Sequence, residues 1–200
     1  MNLFDRAKNI IVSPNTEWNV IAAEQPDAPK IITGYVLPLA GLAAAAAFIG
    51  YGLIGFNVLG YRMSGVNWGL YQALSVLISA IVSVYVSAFV IDALAPNFGS
   101  EKNLARSVQL VAYSFTPAWI GGMLSIFPAL AFLGGLFALY GLYLLYLGMP
   151  KLKRTPTDKQ TTYFIVSLVA IIVVYLVIGW ILTSILMNLF GLSYSSGFRM

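Results

Sequence analysis

The sequence contains no cysteine and no histidine, and only 9% of its 200 residues are charged. Without cysteine the chain has no disulfide, no thiolate metal site and no thiol nucleophile. Without histidine it lacks the usual general base and the commonest zinc and haem ligand. These absences exclude a Ser-His protease, and they predict a protein that is not an enzyme and needs no cofactor or metal.

Hydrophobic residues make up 60% of the chain. A soluble domain carries about a quarter charged residues and less than half apolar ones. A soluble core of this length could bury only part of so much apolar surface, whereas a bilayer can accept the rest. The composition therefore predicts an all-α membrane protein.

Five segments are predicted to cross the bilayer, each needing roughly 20 mostly apolar residues. Residues 31–55 and 162–190 contain no Lys, Arg, Asp or Glu, and residues 69–94 contain only Asp92, near their end. Residues 104–149 are too long for one span. Within them Gly121-Gly122 and then Phe127-Pro128 indicate a tight hairpin of two spans, 104–127 and 129–149, because proline suits the first turn of a new helix. The predicted fold is a bundle of about five transmembrane helices, preceded by residues 1–30 and followed by a tail, residues 191–200.

Lysine and arginine are distributed unequally between the two sides that five spans define. Two, Arg62 and Arg199, fall on the side away from the N-terminus. The other nine share the N-terminal side: Arg6, Lys8, Lys30, Lys102, Arg106, Lys151, Lys153, Arg154 and Lys159. The positive-inside rule then predicts a cytoplasmic N-terminus and an external C-terminal tail. The net charge of +4 is explained by topology, so nucleic acid is not an expected partner.

The first 30 residues lack the apolar core of a cleavable signal peptide. Apolar residues recur there at helical spacing, opposite Asp5, Arg6 and Lys8; they are Leu3, Phe4, Ala7, Ile10 and Ile11. Two interpretations stay open, a short amphipathic helix at the membrane interface and a frayed terminus. Ser13-Pro14 would end such a helix, and Trp18 in the next turn is expected at the interface.

Serine recurs at every fourth position of the second predicted span, at Ser75, Ser79, Ser83 and Ser87. Small hydroxyl residues allow helices to approach closely and can form hydrogen bonds between helices or within one. We favour a helix-packing face over a polar track for a solute.

Asp92 is the one acidic residue within a predicted span. Such residues are candidates for an ion site, but Asp92 lies in the last helical turn. We therefore expect an interfacial carboxylate near Lys102 or Arg106, and keep a coupling-ion site as the alternative.

Pro117 is expected to kink the third span, because it cannot donate a hydrogen bond to the carbonyl of Tyr113. Ser114, Thr116 or a neighbouring helix must then satisfy that carbonyl.

The loop at residues 150–159 contains four basic residues. Lys151, Lys153 and Arg154, with Trp18, are candidates for binding lipid headgroups or a partner protein. The alternative is that these charges only determine topology.

The order of these features resembles the YIP family (Ypt-interacting proteins). The resemblance covers roughly residues 1–190. It rests on Pro14-Asn15-Thr16-Glu17-Trp18, which is similar to the family's Pro-x-x-x-Trp element, and on Tyr113-Ser114-Phe115-Thr116-Pro117 followed by the hairpin and Leu147-Gly148. The family's eukaryotic members carry Asp-Leu-Tyr-Gly-Pro before the Trp and a long acidic tail, both absent here, so binding of Rab-type GTPases is not carried over.

The resemblance implies a short bacterial-type member in the cytoplasmic (inner) membrane, with an adaptor or membrane-organising role at its cytoplasmic face. A small transporter or channel that uses the kinked third span is the alternative, and a lipid-modifying enzyme ranks third. Membrane lipids are the expected partners. A second membrane or cytoplasmic protein, and a second copy of the chain, stay open as further ones.

Overall fold

The computed structural model describes residues 2–58 and 61–191, and this part of the chain is almost entirely helical. The predicted tail from residue 192 onward lies outside the described residues, as does Arg199. The elements are α1 Leu3–Val12, α2 Pro14–Ala23, α3 Ala28–Ile54, the hairpin strands β1 Phe56–Val58 and β2 Tyr61–Met63, α4 Val66–Leu94, α5 Leu104–Ser114, α6 Thr116–Gly122, α7 Gly134–Lys153 and α8 Gln160–Leu189. Short 3₁₀ turns lengthen α4 at its end and connect α6 to α7.

Four of these helices, α3, α4, α7 and α8, are long and apolar enough to cross a membrane. The fifth crossing is made by α5 and α6 together. Asn103, just before α5, lies beside the end of α4, and Ser125, just after α6, packs against Gly50 near the end of α3. The chain from Leu104 to Ile126 therefore runs the length of the bundle, and the prediction of an all-α bundle of about five membrane-spanning helices is confirmed.

The predicted hairpin between the third and fourth spans is present. The chain turns at Phe127, whose backbone is extended, and a new helical turn begins at Pro128. Proline fits this first position because its missing N–H would have no partner inside the helix.

The two ends of the bundle differ in charge. We call the end that holds α1, α2 and the connections 95–103 and 154–159 the basic end, because the nine basic residues counted above all belong to it. The opposite end carries the β-hairpin, whose Arg62 donates to the carbonyl of Ile54. The basic residues that the sequence assigned to one side of the membrane thus lie together at one end of the folded bundle.

Many of the largest buried side chains lie at the basic end. The largest fully buried side chains there include Trp18, Tyr163, Lys153, Ile10 and Ile21. By contrast α8 is exposed along most of its length, as Leu176 and Trp180 show. That apolar exposure is expected of a helix that faces lipid.

Candidate functional site at the basic end

Two connections meet at the basic end and expose a group of cations. The N–H of Glu101 donates to the carbonyl of Lys153 (2.8 Å), and the Glu101 carboxylate lies 3.4 Å from the guanidinium of Arg154. Four exposed basic residues belong to these two connections and to the last turn of α7, and we call them the basic patch: Lys102, Lys151, Arg154 and Lys159. The patch offers positive charge at the level where an apolar span ends, which suits anionic groups.

Asp92 forms a buried ion pair with Lys153. The Lys153 ammonium lies 2.7 Å from the Asp92 carboxylate, and its side chain is fully buried. The same carboxylate oxygen accepts from the N–H of Asn103 (2.7 Å) and the hydroxyl of Ser107 (3.2 Å). This network joins the ends of α4 and α7 to the start of α5.

Asp92 was expected near Lys102 or Arg106. It does lie beside the Asn103 N–H that follows Lys102, but the cation it pairs with is Lys153. Lys102 is exposed, and Arg106 instead donates to Gln109 and to the carbonyl of Ile21. Asp92 does lie in the last turn of its helix, as predicted, but its charge is compensated within the protein. An ion that moved through this position would have to displace a buried lysine.

Lys153 also departs from its predicted position in a surface loop. The fourth span was expected to end near Met149, but α7 continues through Pro150 to Lys153. Proline normally interrupts a helix because the carbonyl four residues earlier loses its donor. Here the side-chain amide of Gln160 donates to that carbonyl, on Tyr146, at 2.8 Å. Lys153 therefore points into the bundle and cannot bind a headgroup or partner, whereas Lys151 and Arg154 are exposed.

Trp18 is fully buried, so its predicted place at the membrane interface is also wrong. Its ring packs on Gly148 in α7, where a Cβ would lie only 2.8 Å from the indole. The hydroxyl of Tyr140, also in α7, donates to the carbonyl of Ile11 at 2.7 Å. The predicted N-terminal helix exists as α1, but α1 and α2 dock onto the bundle. Phe4 and Val12 remain on the exposed side.

Arg6 is the charged centre of this docked segment and was not singled out from the sequence. Its guanidinium pairs with Glu17 at 2.6 Å and also with Glu24, and it lies 5.3 Å from the ring centre of Tyr113 in α5. Arg6 and Glu17 are both buried. The signal available in the sequence was Glu17, directly before Trp18. Its partner Arg6 lies eleven residues earlier, which is beyond any local helical spacing.

The predicted third span is interrupted close to Pro117. Helix α5 ends at Ser114, Phe115 leaves the helix, and Thr116 begins α6. The Thr116 hydroxyl donates to the freed carbonyl of Tyr113 at 2.7 Å and also contacts the Tyr35 hydroxyl at 2.7 Å. Of the three ways foreseen to satisfy that carbonyl, the structure uses Thr116.

The serines of α4 point partly towards α8. Ser83 and Ser87 are buried, whereas Ser75 and Ser79 are half-buried. Ser79 and Ser83 face Tyr175 and Gly179 across a cavity of about 30 Å³. A space of that size holds about one water molecule. The placement is that of a helix-packing face, and the role of these serines stays a prediction.

These features define the class of the protein as an integral α-helical membrane protein with five crossings and a docked N-terminal helical pair. The chain belongs to the Yip1 domain family, whose model matches residues 8–195. It is 30% identical to the inner membrane protein YohC of Escherichia coli K12 over 192 residues, which is 94% of each chain. The YohC protein of E. coli O6:H1 matches equally well. No solved structure matches this chain.

Proposed function

We propose that this protein is a non-enzymatic adaptor or membrane organiser of the inner membrane, which binds lipids or a partner protein through the basic patch at a cytoplasmic face. The observation that carries the proposal is the exposure of Lys102, Lys151, Arg154 and Lys159 on two connections that an ion pair ties together. Their placement at the end of the spans favours a docking surface.

The orientation follows from the same charges. The basic end retains the larger share of the lysine and arginine, which supports a cytoplasmic N-terminus and an external C-terminus. The relatives named YohC are inner membrane proteins, which supports the same membrane for this chain.

The non-enzymatic role is supported by where the buried polar groups go. Asp92 and Lys153 satisfy one another, and Arg6 is held by two glutamates. A general acid or base needs a substrate within hydrogen-bond reach. Groups locked in such pairs are better suited to holding helices together.

The test replaces Lys151, Arg154 and Lys159 by Gln in one variant, with Arg62→Gln at the opposite end as the control. A photo-crosslinker at Thr157, which is exposed between them, should capture the same lipid or protein species repeatedly in native membranes. We expect the triple variant, but not the control, to lose this capture, and high salt to weaken it in the unmodified protein. Undiminished capture by the triple variant would contradict the proposal.

A small transporter or channel is the second candidate, and the break at Phe115 favours it because broken helices line many transport sites. Against it, Thr116 and Tyr35 close the break with a chain of hydrogen bonds. Solute flux into liposomes that carry the purified protein would decide for the transporter.

A further inference from the structure

A cavity of about 350 Å³ with mixed polar and apolar lining lies beside α1, and no residue of the basic patch lines it. It is bounded by α1, by the link between α2 and α3, by the first turns of α3 and by α5. Its polar lining includes Arg6, Glu24, Lys30, Gln109 and Tyr113. A space of this size falls in the range of small-molecule sites.

Tyr113 is the feature that points to a ligand. The residue is only 7% exposed and lines the cavity, yet among the described residues its hydroxyl has no hydrogen-bond partner. The hydroxyl of a tyrosine this buried usually bonds to the protein, whereas the Tyr113 hydroxyl is left to whatever fills the cavity. Its neighbour across the kink, Tyr35, follows that rule by bonding to Thr116.

The charges around the cavity alternate in sign. Arg6 and Lys30 supply positive charge, whereas Glu24 and Asp27 supply negative charge, and Glu17 lies behind Arg6. A simple anion would face three carboxylates and a simple cation would face two basic groups. A dipolar ligand, with an ammonium and a phosphate, can satisfy both sets.

The cavity also has an apolar wall at the depth where the first span begins. Leu3, Ile31 and Gly34 form this wall. Gly34 is exposed, and no atom lies within 4 Å of the position that a Cβ would take. It sits in a π-helical turn, Ile32–Val36, a feature often found at functional sites. The cavity is therefore open beside α3, where a lipid chain could leave it.

We propose that this cavity binds the headgroup of a phospholipid that carries a primary ammonium, of the phosphoethanolamine type. Glu24 and Asp27 accept hydrogen bonds from the ammonium, and Lys30 and the Tyr113 hydroxyl donate to the phosphate. The acyl chains leave past Gly34 along the outer face of α3. The site does not depend on the basic patch or on its proposed role.

The test measures binding of dihexanoyl-phosphatidylethanolamine to the full-length protein in detergent by isothermal titration calorimetry. Gly34→Leu fills open space with a side chain, and Tyr113→Phe removes a hydroxyl that no described residue uses, so both variants should fold. The controls are Gly41→Leu, on the same helix and equally open, and Tyr143→Phe, on α7 outside the cavity. We expect Tyr113→Phe to weaken binding about tenfold, the size of a lost hydrogen bond to a charged group. Gly34→Leu should weaken binding at least as much by filling the opening beside α3, and the controls should bind normally.

Three comparison ligands distinguish a phospholipid from a free metabolite, and a dipolar headgroup with a primary ammonium from other headgroups. Dihexanoyl-phosphatidylglycerol and dihexanoyl-phosphatidylcholine should bind at least tenfold more weakly, since the first lacks the ammonium and the second cannot donate from it. Equal binding of phosphatidylglycerol would overturn the dipolar assignment. Equal binding of soluble glycerophosphoethanolamine would overturn the lipid in favour of a free metabolite. Unchanged affinity in both test variants would show that the cavity is not the site.

Discussion

At the scale of single residues, the Asp92–Lys153 pair shows how charge can be kept inside an apolar bundle. Two charges taken out of water cost several kcal/mol each, and close pairing with further hydrogen bonds offsets that cost. Asp92 accepts three such bonds at one oxygen, from Lys153, Asn103 and Ser107. Removing one charge of the pair should therefore destabilise the protein more than removing both charges.

We expect Lys153→Met to lower the free energy of unfolding by about 3–5 kcal/mol, because it leaves the Asp92 carboxylate buried without a cation. The double variant Asp92→Asn/Lys153→Met should recover most of that loss, since Asn can still accept from Asn103 and Met fills the space of the lysine stem. Thermal denaturation in detergent of both single variants and the double variant measures the coupling. Additive effects in this cycle would mean that the pair is not coupled in the folded protein.

Gly148 provides the space in α7 into which Trp18 of α2 packs. A Cβ there would lie within 3 Å of both Leu110 and the Trp18 ring. Overpacking of this kind typically costs about 1–3 kcal/mol.

We expect Gly148→Ala to loosen α1 and α2, because the rigid indole cannot move aside within a filled core. Limited proteolysis should then cut near Ser13 faster than in the unmodified protein. Gly135→Ala, on the same helix with open space around it, is the matched control and should leave the cutting rate unchanged. If both variants resist proteolysis near Ser13 equally well, close packing at Gly148 does not hold α1 and α2 in place.

At the scale of elements, α8 is exposed along most of its length, and its main contact with the rest of the bundle is with α4. Ser79 and Ser83 line the small cavity between the two helices, and we predict that their small size lets the helices approach. Interhelical hydrogen bonds in membranes average only about 0.6 kcal/mol, so size should matter more than the hydroxyl.

We therefore expect Ser79→Leu/Ser83→Leu to push α8 away and lower the melting temperature in detergent, while Ser79→Ala/Ser83→Ala has a small effect. Thermal shift measurements on both double variants test this. Should alanine prove as harmful as leucine, the hydroxyls have a specific role, and the solute-track alternative gains support.

Elements dominated by local pattern could be predicted from the sequence. Long runs without charge indicated the spans, and Phe127-Pro128 indicated the hairpin. Pro117 indicated the kink because the loss of a backbone donor is a local property. The continuation of α7 through Pro150 could not be foreseen, since the compensating donor, Gln160, belongs to the next helix.

The features that could not be predicted depend on contacts between residues that are distant in the sequence. Lys153 is 61 residues from Asp92, and nothing local distinguishes it from its exposed neighbours Lys151 and Arg154. Trp18 fits the pattern of an interfacial residue, and its burial depends on residues far away in the sequence, among them Gly148, on which its ring packs. For the same reason the cavity beside Tyr113 had no sequence signal, because three stretches far apart in the sequence line it.

At the scale of the whole molecule, the segregation of basic residues to one end predicts the direction of insertion. We expect a periplasm-active phosphatase fused after Gly191 or after Ser64 to be active, and one fused after Lys159 to be inactive. Activity measured in intact bacterial cells gives the answer. An active fusion after Lys159 would reverse the proposed orientation.

The docking of α1 on α7 also sets an order of events during synthesis. The hydroxyl that holds Ile11 belongs to Tyr140, 129 residues later in the chain. At about 5–20 residues per second, the ribosome needs on the order of ten seconds to reach it. Through that interval α1 and α2 lack α7, on which Ile11 and Trp18 pack, so their apolar faces need other cover, such as the membrane surface or a chaperone. The helices α1 and α2, which are part of the folded core in the finished protein, therefore need a different binding surface while the chain is still being made.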